Sequence, residues 1–371
     1  MRKTFIKPNW TKSNLNISAT LAEFLGAPNS NHTLPLLKAE LEKQYKNVVF
    51  ICFDGLGIHP IKANLAKNSF LRKNIKQVLT STFPSTTTNA TTSLACNKQP
   101  LEHGWFGWTL HFAEINRNID IYLHSDAQTK EKVEYKYPII DNTDYYFYHA
   151  NSSYQVNTIF PSFIKTNPNY QNTIIENELD MCNAIKDICS KNENQFVYAY
   201  LPDPDETMHR FGVSSPQAKA KIESINNQVQ KLFDSLENTL IIITADHGQV
   251  DTEGYIEFYD DKEINSLLEC VPFLDSKSPA FIVKKGKKKQ FEKLFKERYG
   301  KDFKLYKSSD LINKNYFGTR GNFGYLLGDY IAVGTFTHKT FLAHKNMPKF
   351  VGNHTSLTEE MEVPLILLCK K

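Results

Sequence analysis

Short runs of apolar, β-branched residues recur along the chain, and each stops abruptly at polar residues. Val48-Val49-Phe50-Ile51-Cys52-Phe53 leads into Asp54-Gly55-Leu56-Gly57, and Phe196-Val197-Tyr198-Ala199-Tyr200-Leu201 into Pro202-Asp203-Pro204-Asp205. Leu240-Ile241-Ile242-Ile243-Thr244 leads into Ala245-Asp246-His247-Gly248. Unbroken apolar runs of this length predict strands buried on both faces, as in a parallel sheet. Between them the apolar positions recur at helical spacing. One such stretch runs from Ile174 to Ser190, and a longer one from Ser215 to Leu236 carries Ile222, Ile225, Val229, Leu232 and Phe233. Strands alternating with helices predict an α/β fold with a doubly wound, mostly parallel central sheet flanked by helices. In such a sheet, ligands bind beyond the carboxyl ends of the strands. The polar residues named above occupy those ends.

Two stretches break the pattern. Tyr135 to Pro168 is rich in Tyr, Phe and Asn, including Tyr145-Tyr146-Phe147-Tyr148, and predicts loops or a lid near the site. From about Asn265 to Asn322 the chain is Lys-rich with short helix and strand signals, which predicts a small α+β subdomain inserted in a single catalytic domain spanning 1–371. An apolar strand resumes at Tyr330-Ile331-Ala332-Val333.

Composition narrows the class. A 371-residue chain with 41% hydrophobic residues can bury a sizeable core. Net charge is only +4, and the one dense basic run, Lys284-Lys285-Gly286-Lys287-Lys288-Lys289, reads as a solvated turn; a nucleic-acid polymer is not an expected partner. Six cysteines are scattered without a C-x-x-C pair, no apolar leader follows Met1-Arg2-Lys3, and no run is long enough to cross a bilayer. The expectation is a cytoplasmic protein with reduced thiols and no membrane span. Cys182 and Cys189 are expected in the core.

Chemistry gathers at the strand ends. Asp205 and His209, four apart, face the same way on a helical turn and can grip one divalent metal. Asp203 competes but lacks that spacing. Asp246 and His247 can reach one metal if the backbone turns sharply, which Gly248 permits. Asp54 stands at another strand end, and His354 lies in a polar loop before the last strand. Each alone reads as readily as a helix cap or a surface residue; their placement at four strand ends makes the set point to metal. Carboxylates and imidazoles without thiolates suit zinc or manganese. Two metals about 4 Å apart form a clamp for in-line displacement at phosphorus. Phe83-Pro84-Ser85-Thr86-Thr87-Thr88-Asn89-Ala90-Thr91-Thr92-Ser93 supplies hydroxyls, one of which could serve as nucleophile if activated. No G-x-G-x-x-G follows the first strand, which argues against dinucleotide chemistry.

In chain order, Phe53-Asp54-Gly55, Phe83-Pro84-Ser85-Thr86-Thr87, Pro100-Leu101-Glu102-His103-Gly104, Pro204-Asp205 with His209 and Gly212, Ala245-Asp246-His247-Gly248, and Gly352-Asn353-His354 followed by Glu360-Met361 and Val363-Pro364 resemble the motifs of the alkaline phosphatase superfamily. The match is to its nucleotide pyrophosphatase/phosphodiesterase branch and spans nearly the whole chain. The resemblance implies one zinc site at Asp54, Thr87, Asp246 and His247, and a second at Asp205, His209 and His354. It singles out Thr87 as nucleophile by its spacing to His103-Gly104. It implies two in-line displacements, through a covalent phosphothreonine that a zinc-activated water hydrolyses. The expected substrate is a small phosphodiester or pyrophosphate, with nucleotide derivatives fitting and a phosphomonoester or phosphonate as the alternative.

Two positions depart from the family pattern. Thr88-Asn89-Ala90 stands where an aromatic, Pro and Asn commonly follow the nucleophile, and Trp108 stands where diesterases carry an Asn that steadies a phosphate oxygen. Either Asn89 substitutes for it, or the phosphate is held differently. Trp105, Phe106 and Trp108 could stack on a nucleobase or other planar group, with core packing the more usual fate of such a cluster; Trp105 and Trp108 are taken as the candidate substrate contacts. The Thr87 segment contains no Arg to clamp an extra phosphate charge, which favours diesters.

Overall fold

The computed structural model describes residues 5–137, 139, 144–164 and 171–371. Its centre is a seven-stranded sheet. In chain order the strands are β1 (Asn47–Phe53), β2 (Ile75–Thr80), β3 (Gln155–Pro161), β4 (Asn172–Ile175), β5 (Gln195–Leu201), β6 (Thr239–Ala245) and β7 (Glu362–Lys370). They lie side by side in the order β2-β7-β6-β1-β5-β3-β4. Pairing is parallel from β6 through β4, and β7 runs antiparallel to both β6 and β2. The doubly wound, mostly parallel sheet read from the apolar runs is the fold of the protein. β1, β5 and β6 are buried along their full length, as continuous apolar runs require.

Register fixes where the chemistry falls. Asn47 of β1 pairs with Gln195 of β5 and Thr239 of β6, and six residues on Phe53 pairs with Leu201 and Ala245. The three strands therefore end level, and Asp54, the 202–205 turn and Asp246 emerge side by side on one edge.

The flanking helices include α1 (Leu15–Phe24), α2 (Thr87–Cys96), α3 (Glu178–Cys189), α4 (Asp205–Phe211) and α5 (Pro216–Ser235). The start of α5 is set by Ser215, whose hydroxyl accepts from the Ala218 N–H, with Pro216 at the first helical position. Its stripe of Ile222, Ile225, Val229 and Leu232 is buried. In α3, Cys182 and Cys189 are buried free thiols in the main core. That helix begins at Glu178, later than the periodicity suggests, because 172–175 is drawn off as an edge strand of the sheet.

The aromatic-rich stretch expected as loops or a lid is built differently where it is described. Tyr146 and Phe147 are buried in the main core, and Gln155–Pro161 is a central strand between β5 and β4. Asn157 and Thr158 interrupt its apolar pattern. Both are nevertheless buried, Asn157 donating to the Gln195 side chain at 2.9 Å. None of the described residues of this stretch borders the site cavity. Residues 138, 140–143 and 165–168 of it lie outside the described residues.

A second seven-stranded sheet is antiparallel and joins two distant stretches, 109–126 and 273–334, over a separate apolar core. Its strand Phe273–Leu274 runs into Asp275, beside the start of α2. No described helix is long and apolar enough to cross a membrane.

Candidate metal centre and active site

Two groups of side chains able to hold a metal ion form at the carboxyl edge of the central sheet. Asp54, Asp246 and His247 make one, and Asp205, His209 and His354 the other, each with its donor atoms within 4.8 Å of one another. Every metal-ligating carboxylate and imidazole expected from the sequence falls in one of them. The groups adjoin, since the His247 and His354 rings stack at 3.7 Å. Thr87, the first residue of α2, places its Oγ1 3.3 Å from Asp54 Oδ2 and 3.3 Å from His247 Nε2. Asp203 is not among them: it accepts from the Thr207 hydroxyl at 2.7 Å and pairs with Lys221.

The local backbone explains these placements. Gly55 adopts a positive φ of 71°, and a Cβ there would lie 2.9 Å from Cβ of Asp205, so only glycine lets the two strand ends approach. Gly248 serves by close approach rather than by a sharp turn: a Cβ would stand 2.4 Å from the Glu359 carbonyl oxygen. Its N–H donates to the Glu360 carbonyl at 2.7 Å, holding the His247 segment against the His354 loop.

All three histidines are oriented alike. Nδ1 of His209, His247 and His354 lies 2.8, 3.0 and 2.9 Å from the carbonyl oxygens of Gly352, Gly248 and Ser85. A carbonyl only accepts, so each Nδ1 carries the proton, and each Nε2 faces the carboxylates. This is the tautomer a metal-ligating imidazole needs, with the far nitrogen pinned to the backbone.

Electrostatics agree. Asp54, Asp246 and His247 are buried, and they cannot all keep their ordinary charge. Burial, then the Asp54 charge, pushes the Asp246 carboxyl well above the carboxylate range. Burial also works to raise Asp54, but hydrogen bonds to His247 and Tyr200 outweigh it and hold it low. Burial lowers His247, and the Asp246 and Asp54 charges more than reverse this, taking it up to about 10. Burial and the neighbouring imidazoles push His354 well below its usual value. Asp246 Oδ1 accepts from the N–H groups of Gly55 and His247, while its Oδ2 is buried without a hydrogen-bond partner. A divalent cation fits this donor set: it would give the orphaned oxygen a partner and let both carboxylates ionise.

Several supporting residues carry no sequence signal. Tyr200 donates its hydroxyl to Asp54 Oδ2, and Gln249 donates to Asp205 Oδ1 at 2.7 Å. Asp275 accepts from the Thr86 hydroxyl at 2.9 Å, and burial pushes its carboxyl up to about 6. Ser276 accepts from Asn353 at 3.0 Å, Ser278 bonds Thr355 at 2.8 Å, and Lys277 forms a buried pair with Glu360. The second sheet thus grips the residues flanking Thr87 and His354.

The centre opens into a cavity of about 790 Å³ bordered by Thr87, His209 and His354 at one end and by Phe273, Phe350 and Met347 among its walls. Trp108 lines it and is 38% exposed. Two other expected substrate contacts lie elsewhere. Trp105 is buried against Tyr122 and donates to the Ile139 carbonyl, and Asn89 is fully buried, donating to the Pro84 carbonyl at 3.0 Å. Neither borders the cavity: Trp105 serves the second core, and Asn89 ties α2 to the turn before it.

His103 secures the other side of α2. Its Nδ1 accepts the Trp105 N–H at 3.0 Å, so its proton sits on Nε2, which donates to Ser93 Oγ at 2.9 Å. Burial pushes its pKa from 6.5 down to about 3. The folded state therefore holds it neutral where the unfolded chain protonates it. Its stabilisation is complete above the unfolded value and is lost as pH falls toward the folded one. The pH–stability profile of wild type minus that of His103→Gln should show a loss of roughly a few kcal/mol across this window. A flat difference would remove the buried neutral imidazole.

A mostly parallel sheet carrying two adjoining carboxylate–imidazole groups, one beside a hydroxyl, defines the class: a hydrolase on the alkaline phosphatase scaffold, with donor sets able to hold divalent metal. The model of the type I phosphodiesterase/nucleotide pyrophosphatase family matches residues 48–354, and the chain belongs to that family. The family is one of phosphodiester and pyrophosphate hydrolases. Among solved structures, murine ectonucleotide pyrophosphatase/phosphodiesterase 5 is similar over 87% of this chain and 87% of its own, with TM-score 0.60 and 21% identity. An inactive variant of that protein in complex with AMP gives TM-score 0.59 at 21% identity, over 86% of this chain and 87% of its own. Phosphonoacetate hydrolase from Sinorhizobium meliloti 1021, in complex with phosphonoformate, gives TM-score 0.61 at 12% identity, over 87% of this chain and 90% of its own. At these identities the likeness is one of fold. No curated protein sequence matches the chain significantly.

Proposed function

We propose that the chain hydrolyses small phosphodiesters or pyrophosphates, nucleotide derivatives among them, at a two-zinc centre with Thr87 as nucleophile; manganese suits the same donors. The observation that carries this reading is two adjoining donor groups, one of them against the Thr87 hydroxyl, at the mouth of one cavity. Asp54, Asp246, His247 and Thr87 would hold one metal, and Asp205, His209 and His354 the other. Bound there, the metals would neutralise phosphate charge and lower the pKa of the Thr87 hydroxyl. Thr87 Oγ loses its proton and bonds to phosphorus as the P–O bond to the leaving group breaks. Water then cleaves the phosphothreonine ester and restores the hydroxyl. The position of Thr87 at the first turn of α2 adds backbone N–H groups and the positive end of the helix for a phosphate oxygen.

The cavity favours organic diesters over small phosphonates. Its volume, about 790 Å³, exceeds what a phosphate group needs and is in the range of sites for drug-sized ligands. AMP in the murine neighbour agrees with a nucleotide-sized ligand. The likeness to phosphonoacetate hydrolase supports the alternative, a monoesterase or phosphonate hydrolase. Comparing kcat/KM for bis-p-nitrophenyl phosphate and p-nitrophenyl phosphate on metal-loaded enzyme decides between them. The diester should be preferred by about tenfold or more, the scale set by one charge left without a partner; preference for the monoester would sink the diesterase reading.

A further inference from the structure

Charge along the cavity wall bears on which phosphoryl group the site accepts. Three cations border the cavity, and each already has a carboxylate. Lys130 pairs with Asp120 at 2.8 Å, Arg210 with Glu206 at 3.4 Å, and Lys349 with Glu257 at 2.8 Å. Asp205 belongs to the metal-ligating set. Asp275 is the remaining carboxylate of the wall, and among the described residues no cation stands at ion-pair distance from it. Its Oδ2 accepts from the Thr86 hydroxyl at 2.9 Å and its Oδ1 from the Ser276 N–H at 2.7 Å. Thr86 directly precedes Thr87, so this carboxylate stands at the phosphoryl end of the cavity rather than among the apolar walls.

We propose that Asp275 is a specificity-determining residue, whose carboxylate disfavours a doubly charged phosphoryl group at Thr87 and so selects diesters over monoesters. The proposal rests on the diesterase reading above and supplies a cause for it. A diester carries one negative charge. A monoester carries a second one above the pKa of about 6 of its last proton. With Lys130, Arg210 and Lys349 already paired, no side-chain cation adds to the metals the site would hold as a clamp for the second charge. That charge meets a like charge instead, in a partly buried site where screening is weak. The hydrogen bond from Thr86 fixes that carboxylate in place, so it cannot swing away as a solvated side chain would.

Asp275→Asn removes the charge and keeps an acceptor oxygen for Thr86. Thr86→Val removes the hydrogen bond and leaves the charge. In Asp275→Asn, the ratio of diester to monoester kcat/KM should fall about tenfold through gain of monoester turnover. In Thr86→Val, where the charge stays but is no longer tethered, the ratio should fall by less than in Asp275→Asn. Binding gives a readout independent of turnover. At about pH 8, calorimetry should find phenylphosphonate, a dianion there, bound about tenfold more tightly by Asp275→Asn, with its monoanionic methyl ester unchanged. Equal ratios and equal affinities in wild type and Asp275→Asn would overturn the proposal while leaving the diesterase reading intact. A wild-type enzyme that prefers the monoester would overturn both.

Discussion

Replacing Thr87 with alanine is expected to lower diester turnover by on the order of a thousandfold or more, while two equivalents of divalent metal stay bound. The separation of the two effects follows from the geometry. Thr87 Oγ1 lies within 3.4 Å of both Asp54 carboxylate oxygens, beside the first donor group, and borders the same cavity as His209 and His354. Asp54, Asp246 and His247 remain as three donors without it, and Asp205, His209 and His354 are untouched. Metal content after dialysis, measured beside steady-state kinetics, checks both halves. Native turnover in the alanine variant would remove Thr87 as nucleophile. Loss of metal together with activity would reduce it to a ligand.

How far the sequence discloses this site depends on the distance over which each residue acts. Asp54, Asp205 and Asp246 are legible because each follows its strand within a few residues, and level strand ends bring them together without help from elsewhere. The resemblance to the family supplies His354 and Thr87, which no local spacing links to the others. Asp275 and Lys277 have no such signal. Asp275 meets Thr86 across 189 residues, and its role exists only because an antiparallel sheet built from two distant stretches delivers it. Strand β3 is illegible for a different reason. Buried Asn157 and Thr158 satisfy their polar groups inside the sheet, so the apolar run that marks the other central strands is broken there. Local pattern reports what a residue is beside in the chain, and this protein places much of its supporting shell outside that reach.

The second large effect is on stability, at a pair the chemistry does not touch. Lys277 and Glu360 are 1% and 0% exposed. One Glu360 oxygen faces the ammonium, and the other accepts the N–H groups of Thr355, Ser356 and Leu357 at 3.0, 2.7 and 2.7 Å. The carboxylate therefore shapes the loop that directly follows His354, and Lys277 anchors it to the second sheet. Lys277→Met leaves a buried carboxylate without its cation, and Glu360→Gln leaves a buried ammonium without its anion. Each should lower the free energy of unfolding by about 3–5 kcal/mol, because an uncompensated buried charge costs far more than the pair gains. The double variant restores neutrality, and the Gln oxygen can still accept from the loop, so its loss should fall well short of the sum of the singles. Each single variant should also weaken metal binding, more at Asp205, His209 and His354 than at the other group, because the loop it loosens carries His354 itself and reaches His247 only through the Gly248–Glu360 bond and the ring stack. Denaturant unfolding of the four chains, with metal titration by calorimetry, reads both effects; strictly additive losses would mean that the two side chains are not coupled.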